Sequence, residues 1–219
     1  MAITSLTVGD LGVSCHIVYA DDASGGEPAP AVVIDPGDEA ARISATLREL
    51  NLRLDAIFLT HSHIDHIAGV ADLAADWPGT AIMASEETAK RAADPKTNLS
   101  AFVMGEPVGL TTGVTRTIGN GEVFDVAGLR WKALDVPGHD VGELVYILGD
   151  NEALFSGDTV FAGSVGRSDF PGGNGRALIE SLTKLLTSLP TEMPIYPGHG
   201  PSTSVSEELA SNPFLAWAL

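Results

Sequence analysis

The run His61-Ser62-His63-Ile64-Asp65-His66 packs three imidazoles and one carboxylate into six residues. Neutral imidazole and carboxylate suit zinc, iron or manganese, and a segment this polar has little packing value of its own. Three further candidates, His139, Asp158 and His199, each follow a short apolar run. Five of the six histidines fall in this set, which ordinary surface or core polarity does not account for. Seven donors are enough for two divalent ions, with a carboxylate to bridge them. His16, the remaining histidine, follows Cys15 in an apolar run and reads as a core or edge-strand residue.

These donors need elements that deliver them to one place. Asp55 to Leu59, Leu129 to Val136, Ala153 to Ser156 and Pro194 to Tyr196 read as strands, each running into a ligand-bearing loop. Gly121 to Leu129 and Val141 to Leu148 read as hairpin strands, and Cys15 to Ala20 with Ala31 to Ile34 as another hairpin across the loop Ala23 to Pro30. Helical periodicity marks Glu39 to Asn51, Ile67 to Trp77, Glu86 to Ala93 and Gly175 to Leu189. Strands and helices mixed throughout imply an α/β layered domain.

Composition narrows the partners. The 219 residues carry a formal charge of −17, with 44% hydrophobic and only 19% charged residues, which fits a chain that buries a core. An acidic chain is a poor binder of phosphate backbones, so nucleic acid is not an expected partner. The single cysteine excludes an intramolecular disulfide framework. No apolar run is long enough for a membrane span and Met1 to Gly12 lacks a basic leader, so a cytoplasmic protein is expected, acting on a small molecule without membrane attachment.

The segment Thr60-His61-Ser62-His63-Ile64-Asp65-His66-Ile67-Ala68-Gly69 resembles the signature of the metallo-β-lactamase-fold superfamily. Pro137-Gly138-His139, Gly157-Asp158-Thr159 and Pro197-Gly198-His199-Gly200 match the rest of that family's ligand set in order. The resemblance implies a single domain over 1–219, an αββα sandwich of two mixed β-sheets flanked by helices, with the metals at one edge between the sheets. It puts His61, His63 and His139 on a first ion, Asp65, His66 and His199 on a second, and Asp158 across both. Ser62 and Ile64 then read as spacers, and Asp35 as a residue that fixes a ligand loop from behind.

A second stretch, Phe161 to Gly173 with Gly166-Arg167-Ser168-Asp169-Phe170 inside it, is similar to the glyoxalase II-like and persulfide-dioxygenase branch. With Asn212-Pro213-Phe214-Leu215 it resembles the short, hydroxyacylglutathione hydrolase-like proteins. Arg167 reads either as a structural partner of Asp169 or as a group reaching a substrate carboxylate, and Asp169 as support behind the site. Asp140-Val141-Gly142-Glu143 departs from the branch after His139; its carboxylates would face outward or repel an anionic substrate. The sequence also stops at Leu219 without the helical domain that supplies much of the glutathione surface in longer glyoxalase II enzymes, which leaves glutathione specificity open.

The implied reaction is thioester or ester hydrolysis at two ions, zinc ahead of iron or manganese. Such a centre makes hydroxide available near neutral pH, with Asp65 steering the nucleophile or taking its proton. The alternatives are a mononuclear Fe(II) glutathione-persulfide dioxygenase and a metal-stabilised domain that binds without catalysis. Ser85 to Pro107, bearing Lys90, Arg91, Lys96 and Phe102, reads as a wall or lid over the site, and Trp77, Trp131 and Trp217 as packing groups.

Overall fold

A computed structural model of the chain describes residues 1–20, 26–103 and 107–215. β1 (Ala2–Val8), β2 (Val13–Tyr19), β3 (Ala29–Ile34), β4 (Leu52–Phe58), β5 (Ala81–Ala84) and β6 (Arg116–Thr117) make one sheet in sequence order. β7 (Val123–Val126), β8 (Leu129–Asp135), β9 (Leu144–Leu148), β10 (Ala153–Gly157), β11 (Pro194–Pro197) and β12 (Thr203–Ser204) make the other, again in sequence order. Both sheets are mixed. β1 to β3 are antiparallel and β3 to β6 parallel, while the second sheet is antiparallel except for the β10–β11 pair.

The helices are α1 (Ala40–Glu49), α2 (Ile64–Ile67), α3 (Val70–Asp76), α4 (Glu86–Ala92), α5 (Ser100–Val103), α6 (Gly175–Ser188) and α7 (Val205–Ser211). The strand residues divide by alternation. Phe58 meets Phe124, Trp131 and Tyr146 between the sheets, while its neighbour Ile57 joins Ile43, Leu47 and Leu73 of α1 and α3. In β9, Leu144, Tyr146 and Leu148 face the first sheet, and Val145 and Ile147 face Leu182, Leu185 and Leu186 of α6. A strand buried on both faces must be apolar throughout, and Leu-Val-Tyr-Ile-Leu is. The result is the expected αββα layering.

One expected helix differs. In place of a continuous helix from Ile67 to Trp77, the chain turns once from Ile64 to Ile67, breaks, and resumes at Val70. Gly69 donates its N–H to Pro36 O, and a Cβ at Gly69 would press on that same carbonyl, so the break anchors the turn to the end of β3. Asp65 and His66 therefore sit on a helical turn.

Two cross-sheet ties hold the edge where the ligands gather. Leu144 N–H donates to Thr60 O, and Ser14 N–H donates to Gly198 O beside an isolated bridge between Val13 and His199. Among the described residues no helix is long and apolar enough to cross a membrane. Trp131 is fully buried, and Trp77 donates its indole N–H to Ser44 Oγ; Trp217 lies outside the described residues.

Candidate metal centre

Four strands end at the same edge and hand over to ligand loops: β4 to His61 and His63, β8 to His139, β10 to Asp158 and β11 to His199. The turn α2 adds Asp65 and His66. All seven candidates from the sequence converge, in two groups.

In the first group, His61 Nε2 lies 3.1 Å from His63 Nδ1 and 3.2 Å from His139 Nε2, and His139 Nε2 lies 2.9 Å from His63 Nδ1. The far sides of two rings fix their tautomers. His139 Nδ1–H donates to the carbonyl of Arg167 at 2.6 Å. Thr60 Oγ1 donates to Asp35, so it accepts from His61 Nδ1–H at 3.0 Å. Both Nε2 atoms thus turn bare lone pairs inward, an arrangement that repels unless a cation sits among them.

The second group places His199 Nε2 3.3 Å from Asp65 Oδ2, with His66 Nε2 3.8 Å from the same oxygen. Asp158 faces both groups: Oδ1 is 3.3 Å from His66 Nε2, and Oδ2 is 3.6 Å from His139 Nε2 and 3.7 Å from His199 Nε2. His66 Nε2 and Asp158 Oδ1 are buried and have no hydrogen-bond partner among the described residues. Buried polar atoms rarely stay unpaired, so these orphans fit divalent ions in both groups. Gly198 is required here, because a Cβ would collide with Asp158 Oδ1 and His66 Cε1.

Charge follows the same division. Burial, with the imidazoles of His66, His63 and His139, holds His61 far below the usual imidazole range, and burial with His139 pushes His63 down to about 4. Lowered in this way, His61 and His63 favour the neutral imidazole, the form that ligates. Burial also opposes charge on His66, but Asp158, Asp65 and Asp35 outweigh it and raise its pKa well above the usual value. Burial would raise Asp158 and Asp65; the neighbouring imidazoles win, and both carboxyls are held below their usual range.

A supporting layer stands behind the donors. Asp35, held at φ 51° in the left-handed region, accepts from Thr60 N–H at 2.8 Å, Thr60 Oγ1 at 2.7 Å and His66 Nδ1 at 2.9 Å. It bonds directly to His66 and, through Thr60, to His61, one candidate ligand in each group. Asp140 and Glu143 correct the expectation of outward or substrate-repelling carboxylates, for both are fully buried. Asp140 accepts from Ser62 N–H and Oγ and pairs with Arg91 Nη2 at 2.6 Å, so Ser62 is more than a spacer. Glu143 Oε1 accepts from Asp158 N–H at 3.1 Å, and burial, with Asp158 and Asp140 nearby, raises its carboxyl pKa well above the usual carboxylate range. Ile64 is a core residue.

Arg167 and Asp169 form a two-bond ion pair, 2.8 Å at each contact, with the guanidinium 3.9 Å over the Phe170 ring. The pair is exposed. Asp169 corrects its expected role: its carboxylate is spent on Arg167, and the support to His139 comes from the Arg167 carbonyl. The stretch from Ser85 to Leu99 is a fastened wall rather than a free lid. Ser85 caps α4, Arg91 also donates to Pro171 O, and Asn98 holds Ala92 O and Val108 O while its own carbonyl takes Ile64 N–H. Residues 104–106 of the expected lid lie outside the described residues. His16 is buried as expected, and burial pushes the Cys15 thiol up, far from reactivity.

Arg91, Thr60 and Ser62 were the functional neighbours missed from sequence. Thr60 and Ser62 flank a ligand and could have been flagged as donors; Arg91 carries no local signal.

The metallo-beta-lactamase superfamily profile matches residues 8–199, a span holding every candidate ligand. The chain is 32% identical over 213 residues to "Hydroxyacylglutathione hydrolase GloC" of Haemophilus influenzae, covering 92% of each chain. Among solved structures it is similar to the BLEG-1 B3 metallo-beta-lactamase, with a TM-score of 0.91 and 28% identity over 98% of this chain and 99% of that one. It is also similar to TTHA1623 in a di-iron-bound form, with a TM-score of 0.80 and 32% identity over 97% of this chain and 100% of that one. Layering, ligand order and profile agree: the chain belongs to the metallo-β-lactamase superfamily.

Proposed function

We propose that the chain is a metal-dependent hydrolase of thioesters or esters, glyoxalase II-like, acting on a small-molecule substrate in the cytoplasm. The observation that carries this reading is Asp158 facing two donor groups at once, which is the layout of a two-ion centre. Likeness to a hydroxyacylglutathione hydrolase supports thioesters as the bond cleaved.

His61, His63 and His139 would hold one ion, Asp65, His66 and His199 the other, and Asp158 both. Zinc suits a nitrogen-rich donor set, with iron or manganese as the competing metals. Bound there, divalent ions supply Lewis acidity to a carbonyl and acidify water. The chain's own part is orientation and proton handling. Asp65 lines the cavity in ionised form, 3.3 Å from His199, placed to accept a proton from the attacking water and release it as the carbonyl–sulfur bond breaks. The products are a carboxylate and a thiol, with the second proton of the water released to solvent. Asp35 and the Arg167 carbonyl hold the imidazoles in the ligating tautomer throughout.

The test is metal content measured on the same sample as a thioester and persulfide activity screen. About two ions per chain with hydrolysis that runs without oxygen supports the reading. One iron per chain with oxygen uptake on glutathione persulfide would replace it with the dioxygenase. Full activity in His61→Ala would remove the metal centre from catalysis.

A further inference from the structure

The cavity over the two donor groups has a volume of about 460 Å³. Its floor is the polar set His63, Asp65, His139, Asp158 and His199, and its walls are apolar: Leu11, Leu99, Val103, Phe161, Val165 and Phe170. Phe161 stands edge-on to His199 with ring centroids 5.9 Å apart, and Phe170 edge-on to His63 at 5.8 Å, so hydrocarbon flanks the donors on two sides. Leu11 and Val103 are 59% and 52% exposed, so they offer hydrocarbon that a substrate group could cover. Both also line a second cavity of about 330 Å³ that shares Ile64 and Asp65 with the first, and whose other walls include Asp10 and Asp38.

Apart from the ions the donor groups would hold, cationic side chains are scarce here. All twelve Lys and Arg residues lie among the described residues, and Arg167 is the one that lines either cavity. Its guanidinium already carries the Asp169 carboxylate on two bonds. Arg91, which holds the segment carrying Phe170, is tied to Asp140 and Pro171 O, and Lys96, three residues before Leu99, is exposed and lines neither cavity. A glutathione thioester brings two carboxylates against one ammonium, a net charge of −1, and burying or docking a carboxylate without a partner is costly. The acidic second cavity adds repulsion, within an acidic chain that disfavours anions at low salt.

We propose that this cleft selects thioesters or esters of low charge, with a hydrocarbon group beside the scissile bond and at most one carboxylate, over the glutathione thioester. The proposal rests on the hydrolase reading of the same site. The hydrocarbon lies against Leu11, Val103, Phe161 and Phe170, and Arg167 exchanges part of its Asp169 contact for a single substrate carboxylate where one is present.

The experiment uses one acyl group on three thiols: S-lactoyl thioesters of glutathione, N-acetylcysteamine and butanethiol, with the metal-loaded protein. The expected result is a kcat/KM for the butyl thioester about tenfold or more above that for the glutathione thioester, expressed mainly in KM. Raising salt should increase the glutathione value and leave the neutral substrates unchanged. In equilibrium binding, the non-hydrolysable ketone that replaces sulfur by methylene in the butyl thioester should bind more tightly than S-methylglutathione, with a negative heat-capacity change. Leu11→Ser with Val103→Ser, both at exposed positions, should raise KM for the butyl thioester and collapse the preference while kcat holds. A preference for the glutathione thioester that survives in low salt overturns the proposal and leaves the hydrolase reading standing. Failure of the two-metal protein to cleave any of the three overturns both.

Discussion

Arg91 Nη2 lies 2.6 Å from Asp140 Oδ1, an ion pair in which the guanidinium is 13% exposed and the carboxylate not at all. Through Asp140 the pair reaches Ser62, between the candidate ligands His61 and His63, and along the chain it abuts the candidate ligand His139. Through its second contact, Pro171 O, Arg91 also pins the segment that carries Phe170. One side chain from α4 thus clamps three segments of the centre.

Removing it strands a buried carboxylate. Arg91→Ala should cost about 3 to 5 kcal/mol in denaturant unfolding, because breaking a buried pair leaves its partner uncompensated. Asp140→Asn in the Arg91→Ala background should recover part of that loss, since the orphan charge is gone. Additive losses in the double variant would show that the two groups do not act as a pair.

Asp35 supports ligands of both groups through Thr60 and His66. Asp35→Asn keeps the shape but drops the charge and one acceptor, so metal affinity should fall about 10- to 100-fold, as for other groups that orient metal ligands. Competition with a chromophoric chelator reads this directly. Unchanged affinity would reduce Asp35 to a loop fastener.

The convergence of the seven candidate ligands was legible because they are dense, local and placed at the ends of apolar runs; alternating His and Asp has no packing rationale. The strand pattern was legible for the related reason that β9 and β10 are buried on both faces and read as continuous apolar runs. What stayed hidden depends on distant pairing. Asp140 follows a candidate ligand and reads as solvated until Arg91 arrives from α4, and Glu143 reads as an ordinary surface charge although burial, with Asp158 and Asp140, raises its pKa well above the usual value. The turn bearing Asp65 and His66 was hidden because its helical form is dictated by Gly69 docking on Pro36, with no periodicity of its own.

Two donor groups sharing Asp158 predict stepwise loss of metal stabilisation. An ion held at a thousandfold above its dissociation constant contributes about 4 kcal/mol. For a chain of this size that is a shift of about 10 °C in Tm, lost on chelation. His199→Ala, which leaves the first group intact, should keep part of the metal-dependent shift. Asp158→Ala, which touches both, should lose more than His199→Ala, as thermal scans with and without chelator would register. Equal losses in the two variants would argue for a single ion.

His16 lies outside the donor set and gives the fold a further pH dependence, on which the charges of Asp35 and His66 also bear. It spans the two sheets, with Nδ1 2.8 Å from Ser5 Oγ and Nε2 3.1 Å from Pro197 O, and its ring packs on Phe155 and Tyr196. Burial pushes its pKa from 6.5 down to about 4, against the smaller opposing pull of the Pro197 carbonyl. Above pH 6.5 both folded and unfolded chains hold it neutral, and it contributes no slope. Between 6.5 and about 4 the unfolded chain alone takes up the proton, so stability falls as pH falls, by about 3 kcal/mol across the window. Below that window both states are protonated and the loss levels off. His16→Gln cannot titrate there, so its unfolding free energy, measured in the same metal state, should fall less steeply between pH 6.5 and 4 than that of the unaltered chain. Parallel curves for the two proteins would mean that the imidazole is charged in the fold, and that its hydrogen bonds to Ser5 and Pro197 offset its burial.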